Sequence, residues 1–457
     1  ESFDQEVIKA GIEETNKLNQ KYAQNSTFPK FHFLYRKRTW NAKEECYLGW
    51  ERKRGLLNQF NEYILGKEKN EFLANTIEEA KQLPQESQGK TNNSQEQQEK
   101  TVIPQIKYII TLDADTQLCL NTGLELIGAM AHILNTPELN ESGDCVIQGH
   151  GLIQPRVGIG LSDVQKSSFT KIYAGSGGKD AYTNAISDIY QDNFEEGIFT
   201  GKGIYDVTTF SKVLSNEIPE NTVLSHDLLE GSYLRCGLAS DIMLMDGYPV
   251  GYNSFKARLH RWIRGDWQVS KWIFSKIKNK KGETKKNPLN LLSKYKIADN
   301  LIRSLQEPAI LLCLIYITVL DLIYKIKVGP IVTILILSAL IASILEILNR
   351  IIFKKEEETL QKTFNKSIAG VKASIIRGIL ALASLPDKAY FSINAGIKTI
   401  YRMNISKKHF LEWMTAEEAE KNAKKDVKSY YQNMFANVVI GIGVIILLFL
   451  LPKSIYN

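Results

Sequence analysis

The sequence predicts an α/β protein in which a unit of alternating strands and helices is followed by apolar helices of membrane-spanning length. The first observation is an apolar, β-branched run, Tyr108–Thr111, that leads into two aspartates one residue apart, Asp113 and Asp115. The second is the alternation of strand-like and helix-like segments after this run, which favours a sheet based on parallel strands. The third is a set of long apolar stretches in the last third of the chain.

Composition narrows the possible environments of the protein. The chain has 457 residues, which is enough for two or three domains. Lys plus Arg number 57 against 50 for Asp plus Glu, and the excess lies beside the apolar stretches, where it favours a lipid bilayer as partner and does not require nucleic acid. The five cysteines form no CxxC pair, which indicates reduced thiols and no structural zinc.

Residues 1–65 are predicted to be the N-terminal part of the α/β unit. The spacing of apolar residues up to about residue 24 predicts a helix, and Phe31–Tyr35 follows as a short strand. Trp50–Phe60 is expected to be a basic turn that opens an amphipathic helix. Its basic run, Arg52–Arg54, is interpreted either as a contact to phosphate or uridine or as a solvated helix face.

The segment 66–104 is predicted to be a mostly disordered insertion, because it is rich in Gln, Asn, Glu and Lys and poor in large apolar residues. Residues 105–300 are predicted to be the core of the α/β unit. After the strand at Tyr108–Thr111, we expect a helix over Thr122–Leu134 and one or two strands over Cys145–Gln154.

Residues 301–457 are predicted to be a membrane domain. Spans are expected at about 309–326, 328–348 and 436–451, and interfacial helices at about 370–403. Lysines flank the first two spans on their outer sides, which places the α/β unit at the cytoplasmic face. A buried, all-helical soluble core is the alternative for these apolar runs.

Asp113 and Asp115 predict a divalent cation site at the tip of a strand. Hard carboxylate oxygens suit Mg²⁺ or Mn²⁺, and the carboxyl ends of strands open into ligand crevices. A solvated turn or a helix cap is the alternative. A phosphatase of the haloacid dehalogenase kind is excluded, because it needs Thr or Val where Gln117 stands.

Four further segments follow in a fixed order and carry the remaining candidates. They are Gln154–Arg156, Phe199–Asp206, Ser225–Glu230 and Arg258–Gln268. In the second segment, Gly201 and Gly203 let the backbone approach a ligand closely around Lys202. In the fourth, Trp262 and Trp267 offer ring faces on which a pyranose can stack, although either ring could instead anchor an interfacial helix.

This series resembles the membrane-integrated, processive glycosyltransferases of the GT-A fold. Their signature runs Asp-x-Asp, then a Thr-Glu-Asp-like motif, then Gln-x-x-Arg-Trp. The resemblance implies a GT-A-like, Rossmann-related domain followed by transmembrane and interfacial helices. It also implies that Asp113 and Asp115 are the metal and diphosphate pair, that Asp227 is the general base, and that Arg261 and Trp262 are the final Arg-Trp.

The longer strings are similar to the glycosyltransferase region of cyclic β-1,2-glucan synthases. These strings are Phe33–Asn41, Gly49–Gly55, Gln154–Arg156, Phe199–Asp206, Leu224–Gly231 and His260–Gln268. The chain departs from the broader signature in two places: Ser225-His226 replaces Thr-Glu, and Arg258 replaces Gln. The first nucleotide-binding strand is not evident and is expected upstream of Glu1, so the chain resembles a piece of a longer polypeptide.

The narrower resemblance implies a specific reaction. Glucose would pass from UDP-glucose to a growing β-1,2-glucan, itself attached to the synthase, with inversion and with Mg²⁺ or Mn²⁺ as cofactor. The enzyme would be a multi-pass protein of the bacterial inner membrane with its catalytic domain in the cytoplasm. The alternatives are another processive β-glycan synthase, of the cellulose, chitin or hyaluronan kind, and a non-catalytic, membrane-anchored glycan-binding fragment.

The reaction assigns a role to each candidate. Negative charge builds on the leaving diphosphate and calls for cations, and a carboxylate such as Asp227 takes the proton of the acceptor hydroxyl. The donor-binding candidates are Arg261, Arg264, Arg54 and Arg258, and the acceptor-binding candidates are Trp262, Gln154, Lys202, Asp266 and Trp267. Asp266 could instead pair with Arg264 or Lys271, and His226 is interpreted as orienting Asp227 rather than as a metal ligand. The attachment-site candidates, each more simply a buried structural tyrosine, are Tyr173, Tyr182, Tyr190 and Tyr205.

Overall fold

A computed structural model describes most of the chain. The described residues are 2–24, 28–67, 72–82, 105–174, 188–324, 341, 375–414, 418, 420–421 and 426–450. Within them, helices and strands alternate around a central sheet, as the α/β prediction requires.

The central sheet has five strands and mixed directions. Their order across the sheet is Tyr108–Thr111, Gly203–Asp206, Leu152–Ile159, Gly237–Asp246 and Gln117–Leu118. The two long inner strands pair in parallel, whereas the other three pairings are antiparallel. The sheet is compatible with a Rossmann-like domain, but it is less parallel than predicted, because residue patterns reveal a strand and not its direction.

The strand Gly203–Asp206 shows how the two faces of the sheet become buried. Side chains alternate along a strand, so Ile204 and Tyr205 enter different cores. Tyr205 packs in the larger cluster with Phe210, and Ile204 packs with Leu126 from a helix on the other face. Each such side chain contributes roughly 1.5–3 kcal/mol on burial. The strand ends that carry the site are therefore held between two packed layers.

Helices surround the sheet and continue toward the C-terminus. They span Ser2–Tyr22, Arg52–Ile64, Thr76–Gln82, Thr122–Ala131, Leu161–Val164, Ser168–Tyr173, Ile189–Phe194, Val207–Leu214, Asp227–Tyr233, Tyr252–Val269, Leu291–Ser304, Gln306–Tyr324, Leu385–Tyr401, Val427–Asn433 and Phe435–Leu450. Four two-stranded ribbons complete the description: Leu34–Arg36 with Phe72–Asn75, Thr39–Asn41 with Cys46–Leu48, Glu138–Leu139 with Val146–Gln148, and Lys276–Lys278 with Thr284–Lys286.

Part of the predicted disordered insertion is ordered. Phe72–Asn75 is a strand paired with Leu34–Arg36, and Thr76–Gln82 is a helix. Ala74 and Ile77 are each 8% exposed, so this stretch adds to a core. The prediction of disorder over 66–104 is wrong for residues 72–82, because the polar tract after them dominates the composition of the whole segment. The tract itself lies outside the described residues.

The C-terminal helices pack against the α/β unit. Tyr252–Val269 lies on Leu385–Tyr401, and Ile263, Phe391 and Ala395 form the buried centre of that contact. The helix Leu385–Tyr401 falls within the segment predicted to be interfacial.

The predicted membrane spans are not confirmed. Among the described residues, no single helix has both the length and the apolar character needed to cross a bilayer. The pair Leu291–Ser304 and Gln306–Leu320, bent by 44°, meets the requirement together by length and composition. The spans expected at about 309–326 and 436–451 correspond to helices that do not meet it singly, and the one at 328–348 falls almost entirely outside the described residues.

Candidate active site at the end of the central sheet

Asp113 lies beyond the strand Tyr108–Thr111 and is held by two lysines. The amino group of Lys53 lies 2.5 Å from Asp113 Oδ1, and that of Lys202 lies 2.9 Å from Oδ2. Burial acts to raise the pKa of Asp113, but the charges of Lys202 and Lys53 outweigh it and lower the pKa to about 2. The carboxylate is therefore ionised and already paired with two cations.

Lys202 joins Asp113 to a second aspartate, Asp246, that sequence reasoning missed. Its amino group lies 3.0 Å from Asp246 Oδ2, and the Asp246 side chain is fully buried. Thr116 donates a hydrogen bond of 3.2 Å to the other Asp246 oxygen. Burial acts to lower the pKa of Lys202, but the two carboxylates raise it overall. The sequence signal that could have indicated Asp246 is its position at the end of a long strand, directly before Gly247.

Gln154 positions the loop that carries Lys202. The Gln154 side chain is fully buried, and its Oε1 accepts hydrogen bonds from Thr200 N at 2.9 Å and Thr200 Oγ1 at 3.1 Å. A contact between Gln154 and an acceptor sugar is therefore not available in this arrangement. Gln154 instead fixes the loop at Thr200. Lys202 was also predicted to bind the acceptor, but its amino group pairs with Asp113 and Asp246.

Gly201 brings this loop against the candidate base. Its φ of +89° is in the left-handed region, and a Cβ at this position would lie 2.8 Å from Asp227 Oδ1. Lys53 donates a hydrogen bond to the Gly201 carbonyl at 2.8 Å as well as contacting Asp113. One lysine thus links the loop at Asp227 to the aspartate at the strand end.

Asp227 begins the helix Asp227–Tyr233, and its side chain is 29% exposed. Burial raises its pKa, while the neighbouring His226 acts to lower it. Arg261, from the helix Tyr252–Val269, interacts electrostatically with both Asp227 and Asp113. Burial lowers the pKa of Arg261 to about 10, so it stays charged at neutral pH. The structure therefore brings together the predicted base, the predicted metal aspartate and one predicted donor arginine.

Arg258 interacts electrostatically with Asp115 and with the buried Asp246. Burial lowers the pKa of Arg258, against the charges of Asp115 and Asp246. Arg258 Nη1 is buried and has no hydrogen-bond partner among the described residues, which leaves a donor unused. Asp115 is exposed, and its carboxylate is close to Gly247.

The aspartates at the strand end suit a divalent cation by donor type. Both offer hard carboxylate oxygens, which Mg²⁺ and Mn²⁺ prefer. Asp113 is shared between two amino groups, whereas Asp115 is exposed to solvent. The strand end thus carries one carboxylate held by lysines and a second one at an exposed position.

Two predicted donor arginines have partners elsewhere. Arg54 is buried and its guanidinium pairs with Glu51 at 2.5 Å. Arg264 is also buried, and it donates to the Glu412 carboxylate at 2.9 Å and to the Glu412 carbonyl at 2.5 Å. Neither guanidinium contacts Asp113 or Asp227, so the structure does not place them with the other donor candidates.

Three predicted acceptor-binding residues, Trp262, Asp266 and Trp267, lie in the helix Tyr252–Val269. Trp267 donates from Nε1 to Ser304 Oγ at 3.1 Å and packs against Gly396. Asp266, predicted to bind the acceptor, accepts a hydrogen bond from Asn300 at 3.1 Å. Trp262 is half-buried. The contacts of Trp267 join its helix to Leu291–Ser304 and Leu385–Tyr401.

A segment that the motif search did not single out crosses this region. Arg52 Nε donates to the Leu411 carbonyl at 2.7 Å, and Glu44 accepts from Leu411 N at 2.9 Å. Two residues further on, the Trp413 ring lies 5.5 Å from the guanidinium groups of both Arg52 and Arg261. Each such cation–π contact contributes about 0.5–1 kcal/mol at an exposed site. This segment therefore supports the position of Arg261.

The comparisons with known proteins are consistent with the motifs. No family model matches the chain. Over 437 residues, 94% of this chain, the sequence is 32% identical to the cyclic beta-(1,2)-glucan synthase NdvB of Rhizobium meliloti (strain 1021). The chain spans 14% of the length of that relative. The resemblance predicted from the motifs is confirmed, and the chain corresponds in sequence to one region of a cyclic glucan synthase.

Proposed function

We propose that the protein containing this chain transfers glucose from UDP-glucose to a growing β-1,2-glucan, with inversion, at the cytoplasmic face of a membrane. The likeness to a relative named as a cyclic β-(1,2)-glucan synthase supports a glycosyltransferase of the glucan synthase kind. The finer points, namely the donor, the linkage, the GT-A fold and the bilayer as partner, rest on the motif resemblance.

One observation carries the proposal for the site. Asp227 lies against the Gly201 turn, and Lys53 connects that turn to Asp113. Arg261 interacts electrostatically with both aspartates. A carboxylate able to take a proton thus faces a cluster of cations able to receive a diphosphate, and that pairing is what sugar transfer from a nucleotide requires.

The chain's own residues account for the steps of a single displacement. The acceptor oxygen forms a bond to the anomeric carbon as its proton passes to an Asp227 oxygen. The bond from the anomeric carbon to the diphosphate breaks, and its electron pair leaves with UDP. Lys53 and Arg261 stabilise the charge that develops there, and base catalysis of this kind contributes about 10²–10⁴-fold. An α-linked donor gives a β-linked product, because one displacement inverts the configuration.

Asp113 and Asp115 are proposed to hold Mg²⁺ or Mn²⁺ with the nucleotide. A bound ion would supply further charge neutralisation at the diphosphate. Asp115, exposed beyond the strand, is the residue through which the chain would first meet the ion.

The variant Asp227→Asn in the full-length protein tests the proposal. We expect UDP release and glucan formation to fall by about 10²–10⁴-fold, while UDP-glucose binding stays within about twofold, because the amide keeps the shape but cannot take a proton. Asp241→Asn, at an exposed position of a neighbouring strand, is the matched control and should be unchanged. Unreduced transfer by Asp227→Asn would remove Asp227 as the base.

The identity of the product separates the remaining alternatives. Linkage determination on glucan made from UDP-glucose by the detergent-purified protein should give β-1,2 bonds. A β-1,4 product would favour another processive synthase. Binding of glucan without any incorporation would favour the non-catalytic alternative.

A further inference from the structure

A buried ion pair lies directly behind the candidate base. His226 Nδ1 is 2.8 Å from Glu230 Oε1 and 3.6 Å from Asp227 Oδ1. The side chains of His226 and Glu230 are 8% and 1% exposed. Apart from this ion pair, neither oxygen of the Glu230 carboxylate has a hydrogen-bond partner among the described residues. The closest charged partner of the Glu230 carboxylate among the described residues is therefore His226.

Stability alone does not explain this pair. Removing two charges from water costs several kcal/mol per ion, and apolar residues of similar volume often serve a fold as well or better. The neighbouring positions Leu228, Leu229 and Tyr233 of the same helix are buried and apolar. A histidine and a glutamate stand at the two positions of this helical turn that face the candidate base, which points to a role in the reaction.

We propose that the His226–Glu230 ion pair positions Asp227 and keeps its carboxylate ionised, ready to accept the proton of the acceptor hydroxyl. The proposal rests on the proposed function, because it takes Asp227 to be the base. His226 and Glu230 are positioning residues, since they act through Asp227 rather than touching the reacting atoms.

The charges around Asp227 support this assignment. The groups that act on it come from its own helical turn, from the helix Arg52–Ile64, from the strand end and from the helix Tyr252–Val269. They are His226, Glu230, Lys53, Asp113 and Arg261. Burial raises the pKa of Asp227, His226 is the strongest charge that lowers it, and Glu230 raises it.

Two carboxylates, Glu230 and Asp227, favour a proton on His226. Burial by itself would lower the pKa of His226, and Arg54 acts in the same direction. The carboxylates of Glu230 and Asp227 outweigh these effects and raise the pKa overall. The imidazolium can then face Asp227 with its positive charge while Glu230 balances that charge from behind.

A divalent metal is the rival occupant of the same cluster. His226, Asp227 and Glu230 each offer a ligand atom, and these atoms lie within 4.8 Å of one another. A metal would take the place of the proton on Nδ1, because histidine binds metals in its neutral form. The two possibilities differ in what the loss of Glu230 does to Asp227, and the experiment uses that difference.

The test is the pH dependence of kcat/KM for glucosyl transfer by the full-length protein, with the variants His226→Gln and Glu230→Gln. The acidic limb of this profile reports the base of the free enzyme. His226→Gln removes a positive neighbour, so the limb should move up by about 1 pH unit. Glu230→Gln removes a negative neighbour of Asp227, and the remaining Asp227 carboxylate still favours a proton on His226, so the limb should move down.

His150→Gln is the matched control. His150 is also buried, and its Nδ1 lies 2.9 Å from the Arg235 carbonyl. Burial lowers its pKa, so its replacement changes no charge at neutral pH. The acidic limb of the kcat/KM profile should therefore be at the same pH in His150→Gln as in the parent protein. UDP-glucose binding by each variant reports whether the site has folded.

The outcomes separate the possibilities. Limbs displaced in opposite directions support the proposal. A shift upward in both variants would indicate a lost metal, and no shift in either would indicate a purely structural pair; each result overturns the proposal. If Asp227→Asn retains full activity, the proposed function fails first, whereas a dead Asp227→Asn with unmoved limbs in the other variants rejects this inference alone.

Discussion

The amino group of Lys202 lies 2.9 Å from the Asp113 carboxylate, although 89 positions separate the two residues in the sequence. Asp113 follows the strand Tyr108–Thr111 and Lys202 precedes the strand Gly203–Asp206, and these two strands are neighbours in the sheet. The lysine side chain is 7% exposed, whereas that of Asp113 is 37% exposed. A buried cation thus fixes the inner side of a carboxylate whose outer side faces the open site. Asp246, fully buried, completes the arrangement.

Replacement of this lysine is the first prediction. Lys202→Met keeps the volume but removes the cation nearest to the buried Asp246 carboxylate, and breaking a buried pair in this way typically costs about 3–5 kcal/mol. We expect a clear loss of thermal stability and of UDP-glucose binding. Lys212→Met is the control, because Lys212 is exposed and its loss should cost less than about 0.5 kcal/mol. Equal unfolding temperatures for the two variants would contradict the proposed role of Lys202.

The second prediction concerns how the stability of the fold changes at acidic pH. The pKa of Asp113 is lowered from 3.8 to about 2. A carboxyl group with a lowered pKa stabilises the fold fully above its unfolded value, and this contribution disappears as the pH falls through the folded value. The contribution of Asp113 is therefore present above about pH 4 and lost as the pH falls toward 2. Acid unfolding followed by tryptophan fluorescence should show this loss.

Asp113→Asn provides the comparison for the acid prediction. The variant is expected to be less stable at neutral pH, since Lys53 and Lys202 lose their shared partner. It should also lose less stability between about pH 4 and pH 2 than the parent protein does. Parallel acid curves for the two proteins would show that the ion pairs of Asp113 do not contribute to stability.

The third prediction concerns the divalent cation. Asp115→Asn should weaken the binding of Mn²⁺ in the presence of UDP by at least about tenfold, because it removes a charged oxygen ligand. Electron paramagnetic resonance of free Mn²⁺ measures this without reference to turnover. Glu141→Gln, at another exposed acidic position, should bind Mn²⁺ as the parent does. Unchanged binding by Asp115→Asn would remove Asp115 from the proposed site.

The fourth prediction uses two glycines. Gly201→Ala places a methyl group 2.8 Å from Asp227 Oδ1 and forces a side chain into the left-handed region. We expect a loss of transfer activity of about 10–100-fold, since small displacements of a catalytic group have effects of this size. Gly128→Ala is the control: a methyl group there meets no atom within 4 Å, and alanine favours a helix interior by about 0.5–1 kcal/mol.

The activities of Gly201→Ala and Gly128→Ala are compared with that of the parent protein. Activity should be retained in Gly128→Ala, with equal or higher stability. If Gly201→Ala were as active as the parent protein, the close approach between the loop and Asp227 would have no part in catalysis. Circular dichroism on both variants shows whether any loss of activity comes from unfolding.

Several elements were predictable because their signals are local. The strand predicted at Tyr108–Thr111 is confirmed. The amphipathic helix predicted to open within Trp50–Phe60 is also present, with the bounds Arg52–Ile64. The helix expected over Thr122–Leu134 forms, but it ends at Ala131, and a 3₁₀ turn follows at Ile133–Asn135. Strand direction and the order of the sheet were not available in this way, since they depend on pairings between distant segments.

The candidate site shows the same division. Asp113, Asp227 and Arg261 were found from their motifs, and the structure brings them together. Asp246 was missed, because its only local signal is a position at the end of a strand before Gly247, and its contact with Lys202 joins distant segments. Glu230 belongs to the segment Ser225–Glu230, but no role was predicted for it. Its contact with His226 depends on the helix that starts at Asp227, and the sequence does not reveal that contact.

The chain's residue types determined which chemistry is possible: carboxylates at a strand tip, a downstream aspartate and a set of arginines. Tertiary structure decided which of these groups meet. Lys53 reaches Asp113 across 60 positions, whereas Arg264 is held by Glu412 across 148, and Gln154 supports a loop instead of facing a ligand. The physical reason is that a buried charge or amide must find a partner, and packing selects that partner from the whole chain rather than from its sequence neighbours.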